Sequence, residues 1–257
     1  MKISVLASGS KGNNSYIETT NTKVLVDLGM TCLYVETKLR SLNIKPEDID
    51  AIILTHTHVD HINGLRVFTK KYNTKVYLTE KMLKDIKEIF DLQNYEIIDK
   101  DFSIKDLDVE VFKTSHDASD SNGYIFKEKD KSIVYITDTG YLNRKYKEKL
   151  TNKNIYIMES NHDIKMLQEG RYPYHLKQRI LSDRGHLSND MTSKYLVDFI
   201  GKDTKNIVLI HLSHENNDPK IAYNTLKNKL EENNIDFENI TISSQDDNTE
   251  LIEIWLK

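Results

Sequence analysis

Within six residues, the segment Thr55-His56-Thr57-His58-Val59-Asp60-His61 places three imidazoles and a carboxylate, directly after the apolar run Ala51–Leu54. In an extended chain, residues two apart point to the same side, so His56 and His58 can grip one ion. The turn into a following helix swings Asp60 and His61 toward a second position nearby. Four such side chains beside Ile52, Ile53 and Leu54 without a cation would each carry a desolvation cost, so the spacing prepares metal binding. Further donors stand after other apolar stretches: His116 after Val111–Thr114, Asp138 after Ile133–Thr137 and His211 after Ile207–Ile210. Side chains at the ends of neighbouring strands converge on one sheet edge. Asp138 is the natural bridge, because each carboxylate oxygen can serve a different ion.

The rest of the chain limits what surrounds this centre. The 257 residues are 38% hydrophobic and 30% charged, with 36 Lys+Arg against 40 Asp+Glu, which argues against disorder and strongly basic nucleic-acid arms. Cys32, the single cysteine, excludes an intramolecular disulfide and thiolate clusters and fits a reducing, cytoplasmic setting. No apolar run approaches the ~18 residues of a membrane span. The opening Met1–Ala7 turns polar at Ser8, too soon for a signal peptide, and reads as a first strand.

Strands are expected at Lys2–Ala7, Ser15–Thr19, Lys23–Leu28, Ala51–Thr55, Lys75–Leu78, Val109–Thr114, Gly123–Lys127, Ser132–Thr137, Ile155–Met158 and Asn206–Leu212. Helices are expected from a Thr31 cap to Leu42, with Leu33, Leu39 and Leu42 on its buried stripe, and over Asp60–Lys71, Glu80–Phe90, His175–Leu181, Asp190–Ile200 and Lys220–Glu232. A terminal hairpin of Ile240–Ser243 with Leu251–Leu256 closes the pattern. With no linker or low-complexity tract, one α/β domain over 1–257 is the economical reading.

The H-x-H-x-D-H segment with the later His, Asp and His resembles the metallo-β-lactamase superfamily of binuclear hydrolases. That resemblance implies a four-layer αββα sandwich with metals at one edge. It assigns His56, His58 and His116 to one ion, Asp60, His61 and His211 to the other, and Asp138 to both. Asp27 matches the superfamily's early aspartate that supports the histidine loop; as a turn former before Gly29 it has an equal local explanation. The histidine-rich donor set suits two divalent ions, zinc foremost and manganese as the alternative.

Substrate class needs further residues. Ser115-His116-Asp117-Ala118 lacks the Pro-Gly-His loop of glyoxalase-type thioesterases. Ser8-Gly9-Ser10-Lys11-Gly12-Asn13 is a glycine-rich loop whose amides and lysine can approach a phosphate. Met158-Glu159-Ser160-Asn161-His162-Asp163 and Gly185-His186-Leu187-Ser188-Asn189 resemble the Glu and His motifs of tRNase Z-like phosphodiesterases. Together with Arg171–Asn189 and His211–Asn217, these segments are similar to the YycJ (WalJ) group, bacterial proteins associated with 5′ exonuclease activity on DNA. Only 73 residues separate Asp138 from His211, too few for a β-CASP insert. The resemblance implies phosphodiester hydrolysis by a hydroxide shared between two ions, with DNA as substrate.

In that reading Asp60 serves catalysis as well as metal binding. His186 protonates the departing 3′ alkoxide and Glu159 holds its imidazole, with His162 the rival donor. Gly185 lets the backbone come close to substrate. Lys11, Arg171, Lys177, Arg179 and Arg184, with Tyr172 and Tyr174, are expected to contact the strand. A small-substrate hydrolase acting on a cyclic phosphodiester or lactone is the second reading, and a non-catalytic regulatory partner of a two-component system the third.

Overall fold

The computed structural model describes residues 1–245 and 247–254. In both halves of the chain antiparallel strands come first and parallel strands follow. The first half forms β1 (Lys2–Ala7), β2 (Asn14–Glu18), β3 (Lys23–Val26), β4 (Ala51–Ile53), β5 (Lys75–Leu78) and β6 (Tyr95–Ile97). Then come β7 (Phe102–Ile104), β8 (Leu107–Lys113), β9 (Asn122–Glu128), β10 (Lys131–Ile136), β11 (Ile155–Glu159), β12 (Asn206–Ile210), β13 (Ile240–Ile242) and β14 (Ile252–Glu253). They make two sheets of seven strands, ordered β14-β1-β2-β3-β4-β5-β6 and β13-β12-β11-β10-β9-β8-β7.

Alternation within the strands builds the layers. Val24 and Val26 of β3, Ile133 and Tyr135 of β10, and Val208 and Ile210 of β12 point between the sheets and fuse into one core. Their neighbours point outward: Leu25 meets the helices over the first sheet, while Val134, Ile136, Ile207 and Leu209 meet those over the second. Strands buried on both faces read as continuous apolar runs. Helices α1 (Cys32–Ser41), α2 (Val59–Ile62), α3 (Leu65–Tyr72) and α4 (Glu80–Ile89) follow strands of the first sheet, and residues of α1, α3 and α4 form its outer core. After β10 come α5 (Lys147–Leu150), α6 (Ile164–Glu169), α7 (Tyr174–Leu181), α8 (Asn189–Phe199) and α9 (Pro219–Glu232), of which α5, α8 and α9 cover the second sheet. The result is the expected αββα sandwich. Among the described residues, no helix is long and apolar enough to cross a membrane.

Several sequence expectations need correction. Leu33 is 71% exposed; the buried face of α1 is Cys32, Val35, Glu36 and Leu39. The helix expected over Asp60–Lys71 is two, because the chain turns at Asn63-Gly64, where a Cβ on Gly64 would lie 2.2 Å from the Met30 carbonyl oxygen. The terminal hairpin does not form. After α9 the chain enters β13 parallel to β12, whereas β14 crosses to the other sheet and pairs antiparallel with β1; Trp255 and Leu256 lie outside the described residues. Strands β6 and β7 are three residues long and largely exposed, too short to give a periodic signal in the sequence.

Three strands stop short of the expected ranges Lys23–Leu28, Ser132–Thr137 and Asn206–Leu212, and all do so at the same edge. Asp27 (φ 59°), Asp138 (φ 47°) and His211 (φ 58°) adopt the left-handed backbone just beyond β3, β10 and β12. This conformation disfavours most side chains and breaks strand pairing. All three are buried, unlike the turn residues that share it elsewhere, such as the exposed Lys129.

Candidate metal centre

The left-handed residues and the loop after β4 meet at that edge. His56, His58 and His116 offer ligand atoms all within 4.8 Å of one another, and so do Asp60, His61 and His211. Asp138 lies between the two groups: its Oδ2 is 3.1 Å from His61 Nε2, and its Oδ1 is 3.2 Å from His211 Nδ1 and 3.9 Å from His116 Nε2. His56 Nε2 is buried without a hydrogen-bond partner among the described residues, so the donor set suits divalent cations held at a binuclear centre.

Hydrogen bonds around these donors assign the ring nitrogens. Thr55 Oγ1 spends its single proton on Asp27 Oδ2 (2.7 Å), so at 3.1 Å from His56 Nδ1 it accepts, and the lone pair of His56 falls on Nε2. His61 Nδ1–H donates to the same Asp27 oxygen at 2.8 Å, again leaving Nε2. Asp27, completed by the Thr55 amide at 2.7 Å, thereby orients one imidazole in each group. His116 Nδ1–H donates to the Gly185 carbonyl at 3.1 Å. His58 differs: its Nδ1 is 3.2 Å from His116 Nε2, while its Nε2 faces Asp117 Oδ1 at 3.7 Å.

Glu159, fully buried at the end of β11, performs a matching task. Its Oε1 accepts from His186 Nδ1 (2.7 Å) and His211 Nδ1 (3.0 Å), and its Oε2 from the amides of Thr139 (3.0 Å) and Leu187 (3.2 Å). Burial opposes its ionisation, but His186 and His211 outweigh that and hold its pKa down to about 2. Asp138 is also held well below the carboxylate range: burial works against it, and His211, His61 and His56 prevail. His211 is raised to about 9 against its burial by Asp138 and Glu159, whereas burial and the neighbouring His61 push His56 well down. Asp138 and Glu159 thus bring buried negative charge to this edge, which charged His61 and His211 balance here and which cations complement.

A cleft of about 260 Å³ opens above these groups. His58, Asp60, His116, Asp138, His186 and His211 line it, and Tyr172, Leu176, Arg179 and Ile180 form the side beside α7. Lys11, Arg171, Lys177, Arg184 and Tyr174 do not line it. Lys177 Nζ is bound to the Gln168 carbonyl at 2.7 Å and Arg184 Nε to the His116 carbonyl at 3.3 Å. Arg179 reaches the cleft with its Nε paired to Asp117. His162 is buried, lies off the cleft and has its pKa lowered to about 4 by burial, so it does not present a proton there. Gly185 lines the cleft and also packs tightly on its own chain, where a Cβ would lie 2.1 Å from the Ile180 carbonyl oxygen.

Three contributors escape sequence reasoning. Asn13 Nδ2 donates to Asp60 Oδ2 at 3.2 Å, and Ser8 Oγ accepts from the His211 amide at 2.6 Å, so the glycine-rich loop braces the ligands. Only Ser10 of that loop faces the cleft. Asp117, the third, sits beside His116 in sequence; its position after a candidate ligand was the only signal available.

Residues 22–212 match the β-lactamase superfamily domain. The chain belongs to this superfamily. It is similar to the exodeoxyribonuclease WalJ of Streptococcus pneumoniae serotype 2 (strain D39 / NCTC 7466), with 41% identity over 236 residues, 89% of this chain and 88% of that protein. The exodeoxyribonuclease YycJ of Bacillus anthracis is 37% identical over 243 residues, 90% of each chain. Among solved structures, the metallo-β-lactamase fold protein YhfI from Bacillus subtilis superposes with a TM-score of 0.70 at 15% identity, covering 97% of this chain and 99% of that one. This superfamily member, with its clustered His, Asp and Glu donors, is a metal-dependent hydrolase related to the WalJ/YycJ exonucleases.

Proposed function

We propose that the enzyme hydrolyses phosphodiester bonds of DNA from the 5′ end. The observation that carries this reading is the sharing of Asp138 between two donor groups beneath a cleft that also presents the His186–Glu159 pair. The names of the WalJ and YycJ relatives support DNA as the substrate. At about 260 Å³ the cleft is compact, which suits the end of a strand better than an internal stretch of duplex.

His56, His58 and His116 would hold one ion and Asp60, His61 and His211 the other, with Asp138 common to both. Zinc or manganese, when bound, supplies Lewis acidity and an activated water. The chain's own residues do the rest. Asp27 keeps His56 and His61 in the tautomer that leaves Nε2 for coordination. A departing 3′ alkoxide has a high pKa and needs a proton. His186 gives it from Nε2, because Nδ1–H is committed to the ionised Glu159.

Metal analysis and end-labelled DNA test this together. Purified protein should carry two ions per chain, and Asp60→Asn or His61→Ala should remove one with most of the activity. Label should leave a 5′-labelled duplex as the earliest mononucleotide; its earlier release from a 3′-labelled duplex refutes the polarity. The compact cleft also favours a second reading, hydrolysis of a small cyclic phosphodiester, marked by turnover that ignores salt and by inactivity on duplex.

A further inference from the structure

The cations expected to grip DNA are mostly engaged elsewhere. Arg179 is paired with Asp117, Lys177 with a carbonyl of its own neighbourhood, and Arg184 with the His116 carbonyl. A different surface keeps its charge available. The loop that carries Asp138 continues through Thr139 and Tyr141 to Arg144 and borders a cavity of about 560 Å³, larger than the catalytic cleft. Tyr141, Arg144, Lys194, Tyr195 and Phe199 line it, with an ion pair between Lys147 and Asp198 (2.8 Å) at its wall. Among the described residues, neither the Arg144 guanidinium nor the Lys194 ammonium has a carboxylate or carbonyl partner.

Leu142, Asn143 and Met191 complete the lining beside the three aromatic rings. Tyr195 and Phe199 stack with centroids 5.9 Å apart, and the Tyr195 hydroxyl accepts from the Leu142 amide at 3.1 Å, so this wall is rigid. Tyr141 is 40% exposed. It lines both this cavity and a smaller one of about 130 Å³ bounded by Ser115, the neighbour of the candidate ligand His116, so Tyr141 stands between the large cavity and the side of the metal centre. Lys145, above the Tyr146 ring at 4.9 Å, extends the cationic edge along the smaller cavity. An exposed aromatic face, here that of Tyr141, beside cations without a carboxylate partner is the chemistry that holds a single strand, through base stacking and phosphate contact.

We propose that a DNA strand leaves the catalytic cleft over Tyr141 and seats a nucleotide in the Arg144–Lys194 cavity, rather than running along α7. This rests on the DNA reading above and adds the location of the strand. The cavity volume lies within the ordinary range for a ligand the size of a nucleotide. Phosphate would meet Arg144 and Lys194, and the base would meet Tyr141.

The test is fluorescence anisotropy of a labelled oligothymidylate with the full chain in chelator, titrated across salt. The double variant Arg144→Glu, Lys194→Glu should weaken binding at least tenfold and lower the log-log salt slope by about one to two. Tyr141→Ala should cost about tenfold with the slope unchanged, since stacking releases no counterions. Arg171→Ala should change the affinity less than either. All substituted side chains are exposed, and unchanged thermal melting checks the fold. Wild-type affinity and slope in the double variant, or a larger loss from Arg171→Ala, overturn the proposed path and leave the DNA reading standing. A wild-type protein that neither binds the oligonucleotide nor degrades DNA, yet hydrolyses bis(p-nitrophenyl) phosphate, overturns the DNA reading itself.

Discussion

Asp27 and Glu159 are both fully buried carboxylates at strand ends, one in each sheet, and each orients two imidazoles. What they orient differs. Asp27 reaches His61 directly and His56 through Thr55, two members of one short loop. Glu159 reaches His211 and His186, which come from different segments and, in the proposed mechanism, have different duties. The first sheet therefore braces metal holding alone, while the second ties metal holding to proton delivery through one side chain.

The largest expected effect follows from that double duty. Glu159→Gln should loosen the ion held with His211 by ~10–100-fold and also deprive His186 of its partner, lowering kcat by ~10³ or more. If metal titration and kcat show the loss of only one of these functions, the coupling is absent. His186→Ala isolates the second half: both ions should stay, kcat on DNA should fall ~10²–10⁴, and turnover of bis(p-nitrophenyl) phosphate, whose leaving group needs no proton, should largely persist. Equal damage on both substrates with the ions retained would remove His186 from the acid role.

Asp27→Asn probes the other brace. Affinity at both donor groups should fall ~10–100-fold, because His56 and His61 belong to different groups, and activity should return when metal is supplied in excess. A loss confined to kcat at saturating metal would erase the distinction between the sheets. The smallest effect is expected outside both braces. Arg179→Ala, whose ion pair with Asp117 is half-exposed, should leave stability within about 1 kcal/mol. Like Arg184→Ala, it should reduce the salt slope of DNA binding by at most about one.

What sequence can disclose about this centre depends on distance along the chain. The histidine loop is legible because its four donors are local and their spacing has a direct geometric meaning. His116, Asp138 and His211 are legible more weakly, as polar residues terminating apolar runs. The service that Asp27 renders to His56 is not legible, since it passes through a threonine proton and needs β3 and β4 side by side. Likewise the loop Ser8–Asn13 reads as a phosphate cradle, and only its packing against Asp60 and His211 reveals a brace. The α/β layering follows from strand length and alternation. The destination of β13 and β14 does not, because short terminal strands carry no signal for which edge they will join.

The left-handed backbone at Asp138 and His211 also sets a rule for anyone re-engineering the metal preference. Aspartate, asparagine, histidine and glycine tolerate that conformation, whereas glutamate or cysteine would strain it by roughly 1–2 kcal/mol before any coordination chemistry is counted. His56 and His116 carry ordinary backbone angles and so accept a wider alphabet. A library aimed at a softer ion should therefore diversify those two positions and hold the strand-end pair fixed.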